Sequence, residues 1–202
     1  MKKIMFNDKY GLTQAVLEGR KTQTRRIVYT QNGFVVFDSE DFQLKKLDNG
    51  QALLTLCNNE FKTANYKIGE EVAIAQRYSD IADTHGQELA QQPGWKNKMF
   101  VKADLMPHRI RITNIRIERL QDISDEDVIH EGFSNICFNK NMGNMLSEWC
   151  YDLCYYDAFG NSQSLHSTIA KEAYSYLIAK LYGWSLWDSN PYVFVYDFEL
   201  VK

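Results

Sequence analysis

A chain of 202 residues is long enough for one well-buried core and short for two. Its 45% apolar and 24% charged residues are ordinary for a globular protein, and 13% aromatic residues favour β structure while offering faces for stacking bases. A net charge of −3 excludes a whole-molecule basic field, so contact with nucleic acid has to come from a local patch.

Met1 to Tyr10 contains an apolar stretch of only three residues, too short for the core of a secretory signal. No later run reaches the length of a membrane span. The four cysteines (Cys57, Cys137, Cys150 and Cys154) are sparse, and the expectation is a cytoplasmic protein with reduced thiols and no membrane partner.

Residues 10–18 space Leu12, Ala15, Val16 and Leu17 as a short amphipathic helix, which Gly19 ends. Thr22 to Tyr29 then alternates as a strand. Phe34-Val35-Val36-Phe37 and Ala52 to Leu56 are further strand candidates, the second following an Asp48-Asn49-Gly50 turn signal. Lys67-Ile68-Gly69-Glu70 turns into the buried strand Val72 to Ala75. Residues 79–97 are polar and carry Gly86, Pro93 and Gly94, the marks of an excursion. Phe100-Val101 and Ile110 to Ile117 are predicted strands, with a parity change around Asn114 that predicts a bulge.

Ser124-Asp125-Glu126-Asp127 starts a short helix that Gly132 closes. Helices are predicted over 142–157 and 165–182, the second with Ile169, Ala173, Tyr176, Leu177 and Leu181 at core spacing. After Asn190-Pro191, Tyr192 to Val201 is the strongest strand signal in the chain. Strands broken by short helices, without a regular βαβ rhythm, predict one α+β domain built on a small barrel.

The densest chemistry lies in Gly19-Arg20-Lys21-Thr22-Gln23-Thr24-Arg25-Arg26, with four cations in eight residues. Like charges at this density need an anion or carboxylates among them, and a phosphate suits the planar arginine fork. Arg25 and Arg26 are expected on opposite faces of the strand. Thr24 becomes a nucleophile only beside a base, and Lys21 serves as that base if its neighbours push its pKa down. Glu131 falls at the negative end of its helix dipole, where it either reaches water or is held by a cation. His130 reads as a surface residue. Cys150 and Cys154 share a helix face in the predicted element, but with only His166 downstream they read as core cysteines, so no metal and no cofactor is expected. Trp184, Trp187, Tyr192, Phe194 and Tyr196 are mostly core, with one or two expected to face a ligand.

Leu17-Glu18-Gly19-Arg20-Lys21-Thr22-Gln23-Thr24-Arg25-Arg26 resembles the signature of the ASCH domain, a PUA-like β-barrel family. Tyr66 to Glu70, Met106 to Ile110 running on to Glu118-Arg119-Leu120-Gln121-Asp122-Ile123-Ser124, and Trp187 to Tyr192 resemble its longer phage- and prophage-associated branch. The resemblance implies a single domain over residues 1–202, a PUA-like small β-barrel with flanking short helices. It also implies helical insertions at about 31–65, 79–97 and 134–183. It implies a protein that binds RNA or a nucleotide, and the charge reading of the basic segment gives Arg20, Arg25 and Arg26 as its ligand contacts. Some small bacterial members are amidohydrolases that deacylate N4-acetylcytidine through a lysine, a threonine and a glutamate. By motif these roles fall on Lys21, Thr24 and Glu131. A third expectation is a phage-associated interaction module that takes a protein partner through residues 134–183. Where many relatives carry Arg-Glu-Thr, this chain reads Ala75-Gln76-Arg77, which bears on substrate identity.

Overall fold

In the computed structural model the long C-terminal strand, β11 (Tyr192–Val201), is central, and the sheet is assembled around it. Residues 1–29, 43–46, 51–55, 61–82, 89–90, 92–139, 147–157 and 159–201 are described. Val193, Phe194, Val195, Tyr196 and Phe198 are all buried, so β11 is covered on both faces and its apolar run is continuous rather than alternating. It pairs antiparallel with β7 (Arg109–Arg119) on one side and β2 (Gln23–Ile27) on the other. β6 (Glu71–Ile74) pairs with β7, and β1 (Lys3–Ile4) adds in parallel to β6. The sheet order is therefore β1-β6-β7-β11-β2, which makes β2 an edge strand among the described residues. Asp197 faces Asn114 and Phe198 faces Ile112, leaving Thr113 unpaired. This is the expected bulge, and it restores Ile110, Ile112 and Ile115 to buried positions.

Two smaller sheets flank this core: β3 (Gln43–Lys46), β4 (Gln51–Thr55) and β5 (Phe61–Lys67), and the set β8 (Ser134–Asn139), β9 (Ser147–Tyr156) and β10 (Ser162–Ser167). The helices are α1 (Leu12–Leu17), α2 (Asp125–His130), α3 (Ala170–Tyr182) and α4 (Trp184–Asp188). The architecture is α+β. Among the described residues the sheets do not close into a barrel, and no helix is long and apolar enough to cross a membrane.

Several sequence expectations change. The predicted helix over 142–157 is β9 in its described part, because Trp149, Tyr151, Tyr155 and Tyr156 favour a pleated surface and β9 is paired on both sides. The helix predicted from 165 begins at Ala170: the preceding Ser162–Ser167 is β10, and Ile169 is exposed at the helix start. From there Ala170, Ala173, Tyr174, Leu177 and Ile178 form the buried stripe. The described part of the insertion at 134–183 is therefore a sheet followed by a helix rather than helical throughout, and the described part of 31–65 is β structure. The strand expected at Phe100-Val101 is a 3₁₀ turn over Lys98–Phe100, capped by Asn97 Oδ1 accepting from the Met99 amide at 2.9 Å. Within 79–97 the described residues form short 3₁₀ turns, as an excursion should. The Phe34 to Phe37 strand lies outside the described residues.

Candidate active site

Two chain reversals bring the site together. Gly19 takes a φ of 75° after α1, the left-handed turn that ends a helix without penalty only at glycine, and the Lys21 amide then bonds back to the Ala15 carbonyl at 2.9 Å. Ser124 caps α2 by accepting from the Asp127 amide, and Glu131 follows at its C-terminal end. Gly132, at φ 109°, lets the two turns close on each other: a Cβ there would stand 3.4 Å from Lys21 Cβ and 3.5 Å from Ala15 Cβ. The Thr22 amide completes the junction by donating to the His130 carbonyl at 2.9 Å.

At that junction Lys21 and Glu131 form a buried ion pair, 2% and 4% exposed. Lys21 Nζ donates to Glu131 Oε2 and, at 2.9 Å, to the Glu131 carbonyl. The other carboxylate oxygen, Oε1, accepts from Arg25 Nη1 at 3.2 Å. Glu131 is therefore held by cations at the unfavourable end of its helix, as one of the two sequence expectations required. Burial lowers the Lys21 pKa below the usual lysine value, outweighing the pull of Glu131, and Arg26 and Arg25 add to the depression.

Arg25 is the hub of the wall behind Glu131. Its side chain is 1% exposed and also pairs through Nη2 with Asp127 Oδ2 at 2.7 Å and Glu118 Oε2 at 3.1 Å. Arg116 continues the network to Asp127 and to Asp197, both at 2.8 Å, and also pairs with Glu118. Gln23 ties Asp127 and Asp197 together at 2.9 and 2.8 Å. Burial raises the Asp127 carboxyl, but the Gln23 bond and the Arg25 and Arg116 charges outweigh it and hold the group below the ordinary carboxylate value. Arg25 Nε is a buried donor with no partner among the described residues.

In front of the pair lies a cavity of about 300 Å³, at the small end of the range for ligand pockets. Lys21, Thr24, Arg25, Arg26, Glu131 and Tyr174 supply its polar side, and Phe6, Leu12, Leu177, Ile178 and Leu181 its apolar side. Both faces of edge strand β2 border it. Thr24 is 5% exposed, and its hydroxyl makes no hydrogen bond among the described residues. Burial pushes the Tyr174 phenol well above its ordinary pKa, so it stays protonated.

Of the sequence candidates, Lys21, Thr24, Glu131, Arg25 and Arg26 converge on this cavity. Arg20 does not: it is turned away by Glu18, 2.6 Å from its guanidinium, and borders a different hollow. Nor do Trp184, Trp187, Tyr192, Phe194 and Tyr196 line it; its aromatic residues are Phe6, Tyr174 and Tyr182. Ala75, Gln76 and Arg77 also lie outside it, with Gln76 bonded to His108 at 2.8 Å and Arg77 to Asp80. The sequence signals for Tyr174, Leu177 and Ile178 are indistinguishable from those of an ordinary helix core. Asp127 reads only as one of three acids in a first turn.

Of the cysteines, Cys150 is buried as expected and Cys154 is exposed. As strand residues four apart they are spaced by roughly 13 Å along β9, too far to share a metal ion. No cluster of metal-ligating side chains occurs among the described residues. No protein-family profile, no curated protein and no solved structure matches this chain.

Proposed function

We propose that this chain is an ASCH-like amidohydrolase that binds a small acylated nucleoside in the cavity and hydrolyses its amide. The observation that carries the proposal is the buried Lys21–Glu131 ion pair beside an unengaged Thr24 hydroxyl in one cavity wall. Support also comes from the Gly-Arg-Lys-Thr resemblance, which assigned the same three residues.

The proposed chemistry starts from Lys21 in its neutral form. A neutral lysine has two N–H groups and one lone pair. In that neutral form two donors are enough for the Glu131 carbonyl and carboxylate, which frees a lone pair on the cavity side for the Thr24 proton, both residues lining the same cavity. Thr24 Oγ1 then adds to the amide carbonyl carbon, and the C–N bond breaks as the Lys21 ammonium returns its proton to the leaving amine. A water molecule cleaves the resulting threonyl ester by the same route, releasing the carboxylic acid and restoring Thr24. Glu131 fixes the amine and steadies its charged form, while Arg25 fixes Glu131.

Support for a grip on RNA backbone is weaker, because Lys21 and Arg25 are neutralised by the protein's own carboxylates. The test is direct. Purified protein incubated with N4-acetylcytidine should release acetate and cytidine, and Thr24→Ala or Lys21→Ala should stop it. Equal turnover by Thr24→Ala would exclude the mechanism. RNA binding with a steep salt dependence and no turnover would favour the binding role instead.

A further inference from the structure

Three of the four cations in the Gly19–Arg26 segment have carboxylates of their own: Arg20 has Glu18, Lys21 has Glu131, and Arg25 has Glu118, Asp127 and Glu131. Arg26 has none among the described residues. One of its five N–H donors, on Nη2, reaches the Met5 carbonyl at 2.7 Å, and the guanidinium carbon lies 5.8 Å from the Phe6 ring centre. The rest of the fork is unspent, in a half-buried side chain that borders the cavity. The other cations of the cavity wall are already paired, Lys21 with Glu131 and Arg25 with Glu131, Asp127 and Glu118, which leaves Arg26 as the lining cation with no carboxylate partner among the described residues. A partly desolvated cation without a counter-charge is costly, and a ligand that supplies the charge removes that cost.

We infer that Arg26 is a specificity residue for an anionic group on the substrate, a phosphate or a carboxylate. The inference rests on the hydrolytic proposal above and narrows its substrate class. The preferred compound is an acylated nucleotide, or an amide with a carboxylate arm, rather than an uncharged nucleoside. The planar fork accepts either group through paired bonds. The apolar flank of Phe6, Leu177, Ile178 and Leu181 receives the uncharged remainder.

Calorimetric binding to the full chain separates these cases, using cytidine, cytidine 5′-monophosphate and N4-succinylcytidine as probes. One charged compound should bind at least about tenfold tighter than cytidine, a difference of about 1.4 kcal/mol. Preference for the monophosphate identifies phosphate as the group, and preference for the succinyl compound identifies carboxylate. Arg26→Gln should bring the ratio close to one, and Arg26→Lys should keep part of it. Equal affinity for all three probes, no binding of any, or a ratio unchanged in a folded Arg26→Gln protein overturns the assignment. Binding needs no turnover, so the two proposals fail separately. Hydrolysis of N4-acetylcytidine without charge preference removes only the role of Arg26; charge preference without hydrolysis of any acyl compound removes only the catalytic role of Thr24 and Lys21.

Discussion

Two hollows of this molecule each contain a buried carboxylate, and the partners of those carboxylates set them apart. In the first, Glu131 is bound by Lys21 and Arg25. In the second, lined by Tyr10, Gly11, Arg20, Asp152 and Cys154 among others, Asp152 accepts from two neutral groups, the Ser164 hydroxyl and the Cys154 thiol, the latter at 2.7 Å. The electrostatic consequences are opposite. Burial and neighbouring arginines push Lys21 down towards a usable base. The hydrogen bond to Asp152, then burial, then its charge, push the Cys154 thiol up to about 11. A nucleophile is activated when its proton has somewhere to go, and disarmed when the nearest carboxylate holds the proton in place. Asp152 and Cys154 line the second hollow, and with Ser164 and His166 bonded behind them on the neighbouring strand the set looks catalytic by type. Its hydrogen bonds say otherwise.

The contrast yields predictions of decreasing size. Thr24→Ala should reduce hydrolysis by at least about 10²-fold with little change in stability, whereas Cys154→Ala should leave turnover intact. Loss of turnover in Cys154→Ala would place the chemistry in the wrong hollow. Glu131→Gln leaves Lys21 and Arg25 facing a neutral group inside the protein and should cost about 3 kcal/mol in urea unfolding. A change below about 0.5 kcal/mol would mean that the pair is solvated in solution. Arg25→Gln should move the acidic limb of the kcat/KM profile to higher pH. The groups facing Lys21 are Glu131, Arg25, Arg26 and Tyr174, and removing one cation raises the lysine pKa, so more base is needed to free its lone pair. A limb that stays in place would deny Arg25 that influence.

The smaller effects are electrostatic. Asp152→Asn should lower the Cys154 pKa from about 11 and speed its alkylation by iodoacetamide near neutral pH. An unchanged rate would show that the carboxylate does not hold the thiol proton. Asp127 has a folded pKa below its ordinary 3.8, so its contribution to stability is complete above that value and is lost as pH falls through the folded pKa. Asp127→Asn should flatten the fall in stability on acidification, measured by urea unfolding at several pH values. An acid limb as steep as the wild type's would assign the loss to other carboxylates.

How much of this was legible in the sequence varied with the range of the forces involved. The ends of α1, β2, α2 and β11 were readable because they are set locally, by Gly19, by alternation, by the Ser124 cap and by a run of β-branched and aromatic residues. The bulge opposite Asp197 was readable for the same reason, since parity is a property of adjacent residues. Strand β9 was not. Its Cys150 and Cys154 sit at a spacing that serves a helix face as well as a strand, and only pairing with β8 and β10 decides between them. In the site, the basic segment and Glu131 could be named from sequence, but not the division of labour among the cations. Arg20 and Arg25 look alike in sequence. One meets Glu18 at the surface, and the other is enclosed by Glu131, Asp127 and Glu118, residues 93 to 106 positions away. The charge density that predicts a phosphate was largely answered by carboxylates folded in from β7 and α2, leaving Arg26 as the cation with an anion still to meet.

The central claim is that Thr24, relieved of its proton by Lys21, takes the acyl group. Intact-mass analysis of the protein quenched with acid during turnover of N4-acetylcytidine, followed by peptide mapping, tests it most directly. The account predicts a single acetyl group on Thr24, absent from Thr24→Ala and from Lys21→Ala. Turnover with no acyl-protein at any time point, or an acetyl group carried by Lys21 or Cys154, would contradict it.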